Sequence, residues 1–287
     1  VVMEASAHAL ALNKLDGIKF DIGVLTNITE DHLDYFKTMD NYAKAKYKLF
    51  DKDRVKLGIV CGDDDYCEKL ILNPKVPMIS YGIGEENDVY ASNIEKSFNG
   101  SSFKCDFMGE KTNFKTSLVG EYNIRNALAS IAVCRSLGLP ADLIKLGMSC
   151  ISPVEGRFNV IKMGGLNIVI DYAHTPDGLE NVLETAKDLT NGKLVAIFGC
   201  GGNRDKLKRP IMGKIAEEIA DEVILTSDNP RFEEPIDIIK EICGGMKRHK
   251  EMIIDNRKNA IEYALGHYKN GETIVIAGKG AEKYQDI

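Results

Sequence analysis

Apolar and polar positions along this chain follow two rhythms. From residue 20 to about 75, short apolar runs such as "FDIGVLTN" and "KLGIVCGD" alternate with "NYAKAKYKLF" and "DYCEKLILN", whose apolar residues recur at helical spacing. That alternation predicts βαβ units and a mainly parallel sheet. Residues 85 to 118 switch to short runs on either side of Asn99-Gly100, a hairpin signal and hence a small antiparallel part. "NIRNALASIAVCRSLGL" predicts a helix closed by Gly138 and Pro140. After "SPVEGRF" come the apolar runs "LNIVIDY", "LVAIFGC", "DEVILTS", "EMIID" and "TIVIAGK", with helical patterns between them. The fold class predicted is α/β in two domains, residues 1–152 and 153–287, the second Rossmann-like, with the boundary near Pro153. The opening "VVMEASAHAL" reads as a strand that runs out at Glu4.

Composition narrows the function classes. The 287 residues are 44% hydrophobic and 28% charged with a net charge of −6, the make-up of a soluble protein and not of a general nucleic-acid binder. No apolar run approaches the roughly 20 residues of a membrane helix. Seven scattered cysteines, an odd number without a C-x-x-C pair, fit reduced thiols and a cytoplasmic location.

Two nucleotide-binding motifs fail when tested. "FGCGGNRDK" follows a strand, but the third glycine of G-x-G-x-x-G would fall at 204, which is Arg204. Every Gly-Lys pair is followed by Leu, Ile or Gly, so the chain contains no P-loop.

Other residues carry chemistry. Tyr42, Lys46, Leu49 and Phe50 share the apolar stripe of one helix, with Lys44 and Lys48 off it. A lysine so placed either snorkels to the surface or, if desolvated, serves as a neutral amine. Glu4 (followed by Ser6 and His8) and the group Asp31, His32 and Asp34 lie at strand ends, where they could hold Mg²⁺ or serve as caps. "SDNPRFEEP" sets Asp228, Asn229, Pro230 and Arg231 between a strand and a helix. It is either a plain turn or a recess for a small zwitterion, with Arg231 on a carboxylate and Asp228 facing an ammonium group.

These blocks, together with "GEYNIRNALAS", "VEGRF", "DYAHTPDGLENVL", "FGCGGNRDKLKRPIMG" and "IAGKGAEKYQ", resemble the Mur ligases in content and order, most of all the diaminopimelate-adding (MurE) type, from Glu4 to Gln285. The resemblance implies the later part of a central ATPase domain and a C-terminal amino-acid domain, with the family's UDP-binding domain and P-loop expected before Val1. It implies ATP-dependent amide formation through an acyl phosphate, with ATP and Mg²⁺ as cofactors. The implied substrates are a UDP-N-acetylmuramoyl dipeptide and meso-diaminopimelate, handled by a monomer.

By resemblance, Glu4, His32 and Lys46 are the catalytic and metal positions, with Lys46 carbamylated. Asn123, Arg157 and Asp171 are the nucleotide contacts, and His174 is either an adenine neighbour or a turn residue. Asn123 could equally be a helix cap after Gly120. Arg209, Asp228, Asn229, Pro230, Arg231, Gly278 and Glu282 make the amino-acid site, and Ser6 and Lys14 touch the UDP-linked acceptor. Ala281, where the family has histidine, and Ala7, Leu12 and Lys14, where it has serine, glutamine and arginine, are departures. They leave open a related ligase with another acceptor (cyanophycin- or polyglutamate-type), another amino acid such as lanthionine or lysine, or a non-catalytic paralogue.

Overall fold

A computed structural model describes residues 1–248 and 251–285. The chain divides into two units, Val1–Lys96 with Gly100–Ile151, and Ser97–Asn99 with Ser152–Ile287.

In the first unit, α1 (Ala7–Ala11) precedes β1 (Phe20–Leu25), and α2 (Leu33–Phe36) and α3 (Met39–Tyr47) lead to a 3₁₀ turn over Lys48–Phe50. There follow β2 (Val55–Cys61), α4 (Asp65–Leu72), β3 (Met78–Gly82), β4 (Val89–Ser97), β5 (Gly100–Phe107), β6 (Glu110–Thr116), α5 (Glu121–Ser136) and α6 (Ala141–Ser149). The six strands form one sheet in sequence order. β1 to β4 pair in parallel and β5 with β6 antiparallel, as the two rhythms of the sequence require. Gly100, at φ +130°, supplies the hairpin conformation that a side chain would resist. Helix α5 buries Ile124, Ala127, Leu128, Ile131 and Ala132, the i, i+3, i+4, i+7, i+8 stripe of its sequence, in a core that includes Ile59 and Val60 of β2. Gly138 ends this helix at φ +84°.

The expected opening strand is a correction. Residues 1–6 form no strand, and Glu4 is exposed in an irregular segment. β identity depends on a ladder partner, and the described sheet begins at β1.

The second unit holds β7 (Asn159–Met163), β8 (Leu166–Ile170), α7 (Pro176–Leu189), β9 (Leu194–Phe198), α8 (Lys208–Ile219), β10 (Glu222–Leu225), α9 (Pro235–Cys243), β11 (Glu251–Ile253), α10 (Arg257–His267) and β12 (Thr273–Ile276). Its sheet has the order β11-β10-β9-β12-β8-β7. All neighbours are parallel except the β7–β8 pair. Every residue of β9 is buried, which accounts for the unbroken apolar run "LVAIF". Helix starts follow local chemistry: the Thr175 hydroxyl accepts from the Gly178 amide ahead of Pro176, and Asn256 caps α10. Because the strands are parallel, the loops after β8, β9, β10 and β12 leave one edge of the sheet, where open α/β sheets bind ligands.

All seven cysteines are free. Among the described residues no helix is long and apolar enough to cross a membrane.

Candidate functional site

In the first unit, the loop after β1 and the helix α3 bring Lys46 to a carbonyl. Tyr42 is buried and Lys44 exposed, as the stripe predicts, and Lys46 is half-buried with Nζ donating to the Asn27 carbonyl at 3.3 Å and 5.0 Å from the Tyr42 ring centre. Burial pushes the Lys46 ammonium down from its ordinary pKa, while the fields of Cys67, Asp64, Asp31 and Glu4 oppose the shift. Lys48 is half-buried too, its Nζ 3.5 Å from the Ala11 carbonyl, contrary to its place off the stripe. It lies in the 3₁₀ turn, whose tighter winding rotates side chains relative to an α-helix.

His32 stands in the left-handed region at φ +56°, its Nε2 3.3 Å from Asp31 Oδ2 and its ring edge-on to His8 at 4.8 Å. The side chain of Asp34 lies outside the described residues. Among the described residues no group of three His, Cys, Asp or Glu side chains could hold a metal ion. Glu4, His32 and Lys46 are therefore not a ready-made ligand set. Asp31 and Glu4, whose fields reach Lys46, carry the hard oxygen donors that suit Mg²⁺, whereas both oxygens of Asp64 are taken by backbone amides. In donor chemistry, though not as a formed cluster, these residues suit that ion, and a carbamate on the amine would add two more oxygens.

Ser6 caps α1, its hydroxyl accepting from the Ala9 amide at 3.2 Å, and Leu12 and Lys14 are exposed. Asn123 sits in the first turn of α5. Its Nδ2 donates to the Val119 carbonyl at 2.8 Å and its Oδ1 accepts from Asn126 at 3.3 Å, which leaves one N–H and one lone pair for a ligand.

In the second unit, Asp171 follows β8 and is buried. Oδ2 accepts from the Phe158 amide at 2.6 Å and Oδ1 from the Ala173 amide at 2.7 Å. Burial raises its pKa against these two hydrogen bonds. The exposed Arg157 lies over the Tyr172 ring at 4.4 Å, and the exposed His174 meets the same ring edge-on at 4.8 Å. Tyr172, which the sequence does not single out, thus carries two of the four candidate nucleotide contacts, Arg157 and His174.

The Asp228–Arg231 turn leaves β10 toward the loops of β9 and β12. Asp228 Oδ1 accepts the Asn229 amide at 2.7 Å, and Asn229 Oδ1 accepts from Lys279 at 2.9 Å. Lys279 in turn donates to Glu282 at 2.8 Å, and this bond is the main reason the Glu282 carboxyl sits below its ordinary pKa. Gly278, at φ +108°, is backed by Asp228: a Cβ there would lie 2.9 Å from Oδ2. Arg231 has φ +54°, is exposed, and donates from Nη1 to the Gly202 carbonyl at 2.6 Å.

Arg209 departs from its expected role. Its side chain is 0% exposed and donates to both oxygens of Glu233 (2.9 and 3.0 Å), to Glu241 (2.7 Å) and to the Gly201 carbonyl (3.2 Å). A guanidinium so enclosed cannot grip a substrate. It holds the turn from beneath, because Glu233 also takes the Asn203 amide at 2.6 Å. The exposed arginine of this stretch is Arg204. A Cβ on Gly201 would lie 2.9 Å from Arg231 Nη1 and 3.8 Å from Arg204 Cγ, so both arginines flank one glycine. Arg257, also passed over, is buried beneath the turn and donates to the carbonyls of Ser227 (3.3 Å) and Ala277.

Gly202 fixes how closely the β9 loop meets the turn. A Cβ there would stand 1.8 Å from the Pro230 carbonyl oxygen. Gly202→Ala is expected to displace the turn at a cost of about 1–3 kcal/mol, read as a lower midpoint in thermal unfolding. An unchanged midpoint would show that the loops part freely.

Residues 1–134 match the Mur ligase middle domain, and residues 156–280 match the domain described as Mur ligase, glutamate ligase domain. The chain is 44% identical over 287 residues to the UDP-N-acetylmuramoyl-L-alanyl-D-glutamate–2,6-diaminopimelate ligase of Clostridium tetani, an alignment covering 99% of this chain and 59% of that protein. Identity to the ligase of the same name from Aquifex aeolicus is 42% over 288 residues, covering 100% of this chain and 59% of the relative. The chain thus spans about three fifths of the length of these curated relatives, 59% in both cases. A solved ligase of that name superposes with a TM-score of 0.66 at 34% identity, covering 99% of this chain and 60% of that one. Thermotoga maritima MurF in complex with ADP shares the fold with a TM-score of 0.75 at 20% identity, covering 95% of this chain and 61% of that one. The order of the strands, the two edges where polar side chains gather and these matches agree: the chain belongs to the Mur ligase family and carries its middle and glutamate ligase domains.

Proposed function

We propose that this chain supplies the later part of the ATP-handling domain and the amino-acid-binding domain of a cytoplasmic, monomeric ligase that joins meso-diaminopimelate to UDP-N-acetylmuramoyl-L-Ala-D-Glu. An amide bond forms between a substrate carboxylate and the incoming amine, with ATP converted to ADP and phosphate through an acyl phosphate. The observation that carries this reading is the Asp228–Arg231 turn, where exposed Arg231 and Arg204 flank Gly201, while Asp228 faces Arg257 at 3.9 Å and Glu282 accepts from Lys279 at 2.8 Å. A diamino diacid carries two carboxylates, and two exposed guanidiniums side by side suit them. Asn229, Pro230, Lys279 and Gly278 hold the geometry, and Arg209 supports it from below.

Toward the nucleotide, Asn123 of the first unit would offer an amide to a base edge; in the second unit, Arg157 would offer a planar fork to phosphate oxygens and Asp171 its remaining lone pairs to ribose hydroxyls, with His174 beside Tyr172. Mg²⁺, when bound, neutralises charge on the transferring phosphoryl group. Glu4, His32 and Lys46 would hold it. The role of Lys46 depends on its lost proton affinity. The neutral amine attacks CO₂ and a C–N bond forms. One π pair moves onto oxygen, a proton leaves nitrogen for solvent, and a carbamate remains. Ser6 and Lys14 are the residues that would meet the UDP-linked acceptor.

The test is ADP release by the protein extended to the full length of its relatives. Release should require both the UDP-linked dipeptide and diaminopimelate, and release with neither would contradict the assignment. In the same assay Lys46→Ala is expected to lower turnover by at least about a hundredfold, since positioning and charge neutralisation dominate phosphoryl transfer. Short carboxylates should restore part of it. Undiminished turnover would make Lys46 an ordinary snorkelling lysine.

A further inference from the structure

Asp64 lies at the carboxyl end of β2 and is the N-cap of α4. Oδ1 accepts the Tyr66 amide at 3.0 Å and the Cys67 amide at 2.9 Å. An N-cap needs one oxygen, and serine or asparagine would serve as well. The second oxygen, Oδ2, accepts the Ile28 amide at 3.0 Å, from the loop after β1.

The Ile28 N–H belongs to the same planar peptide group as the Asn27 carbonyl. That carbonyl is the acceptor of Lys46 Nζ at 3.3 Å. In a trans peptide the N–H and C=O point in opposite directions, so a carboxylate that grips the N–H aims the carbonyl away from itself, toward the lysine. Hydrogen bonds in series also polarise one another, which makes the carbonyl a better acceptor.

We propose that Asp64 is a positioning residue for Lys46, acting through the Asn27–Ile28 peptide group. The inference rests on the reading of Lys46 as a carbamylated lysine. Asp64 fixes the plane of the peptide, and the peptide fixes where the Lys46 nitrogen stands. The relay survives carbamate formation, because the carbamate nitrogen keeps one N–H to donate to Asn27. The same carboxylate therefore starts α4 and orients the loop that leads to Asp31 and His32.

Asp64→Asn separates the two jobs. The amide oxygen keeps the α4 cap, while the NH₂ group meets the Ile28 N–H donor to donor. Asp64→Ser also caps the helix but has a single oxygen, and guards against a fault peculiar to the asparagine. The full-length protein would be equilibrated with ¹³C-bicarbonate, and the carbamate carbon signal, kcat, KM for diaminopimelate and Tm measured. Both variants are expected to lose at least about four fifths of the carbamate signal and to lower kcat about tenfold, the loss of a charge-assisted hydrogen bond. KM for diaminopimelate should stay within about twofold, because a change in K of tenfold would need about 1.4 kcal/mol at that site. Tm should change little, which a purely structural role would not allow alongside the lost signal. Lys46→Ala is the control and should abolish the signal. If Lys46→Ala keeps signal and turnover, the reading of Lys46 fails. If Lys46→Ala abolishes the signal while both Asp64 variants retain it in full with wild-type kcat, the positioning role is overturned and the reading of Lys46 stands.

Discussion

Replacing Arg209 with leucine is expected to destabilise the unit of residues 152–287 by about 3 kcal/mol, the low end for breaking a buried ion pair. The guanidinium is fully enclosed and serves Glu233, Glu241 and the Gly201 carbonyl together, and leucine leaves all three acceptors without it. The low end is appropriate because Glu241 is 39% exposed and can be rehydrated, whereas Glu233 at 16% cannot be fully. For a domain of this size the loss corresponds to a fall of about 6–12 °C in the midpoint of its thermal transition. Arg209→Lys should recover only part, since one ammonium cannot form the two parallel bonds to Glu233. A midpoint within about 2 °C of the parent for Arg209→Leu would show that Lys206, 2.8 Å from Glu233, suffices alone.

How much of this was legible in the sequence differs by element. The parallel strands were legible because burial on both faces leaves an uninterrupted apolar run, as in "LVAIF" of β9. The stripe of α3 also located Lys46, since one period places Tyr42 and Lys46 on one face, with Leu49 buried just beyond in the 3₁₀ turn. The opening segment was not legible. "VVME" has strand composition, but pairing is a property of neighbours and not of the segment itself. Arg209 and Arg204 lie five residues apart in one basic stretch, and nothing local distinguishes the enclosed one from the exposed one. The distinction comes from Glu233 and Glu241, which the fold brings from 24 and 32 residues away. Tyr172 and Arg257 were missed for the same reason. The Tyr172 ring is significant only where Arg157 and His174 converge on it, and Arg257 only where the segments that follow β10 and β12 bring the Ser227 and Ala277 carbonyls to one guanidinium. A motif of small residues can be informative where a period is not: "GCGG" fails as a dinucleotide fingerprint, and its Gly202 instead admits the Pro230 carbonyl.

The central claim is that the Asp228–Arg231 turn recognises a second carboxylate on the incoming amino acid. Arg231 is exposed and its Nη1 is committed to Gly202, so any ligand its remaining donors took would be met in partly wet surroundings. The appropriate scale is that of a hydrogen bond to a charged group, about 1.5–3 kcal/mol, and not that of a fully buried ion pair. In rate terms this is roughly ten- to a hundredfold in kcat/KM. Lysine resembles diaminopimelate except for that carboxylate, so it gains nothing from Arg231 and loses nothing without it. Asp228 and Asn229 shape the turn for either amino acid, and their loss should penalise both. The direct measurement is kcat/KM for diaminopimelate and for lysine with the full-length protein and its Arg231→Ala variant. The account predicts a fall of about ten- to a hundredfold for diaminopimelate with lysine nearly unchanged; equal losses for the two amino acids would contradict it.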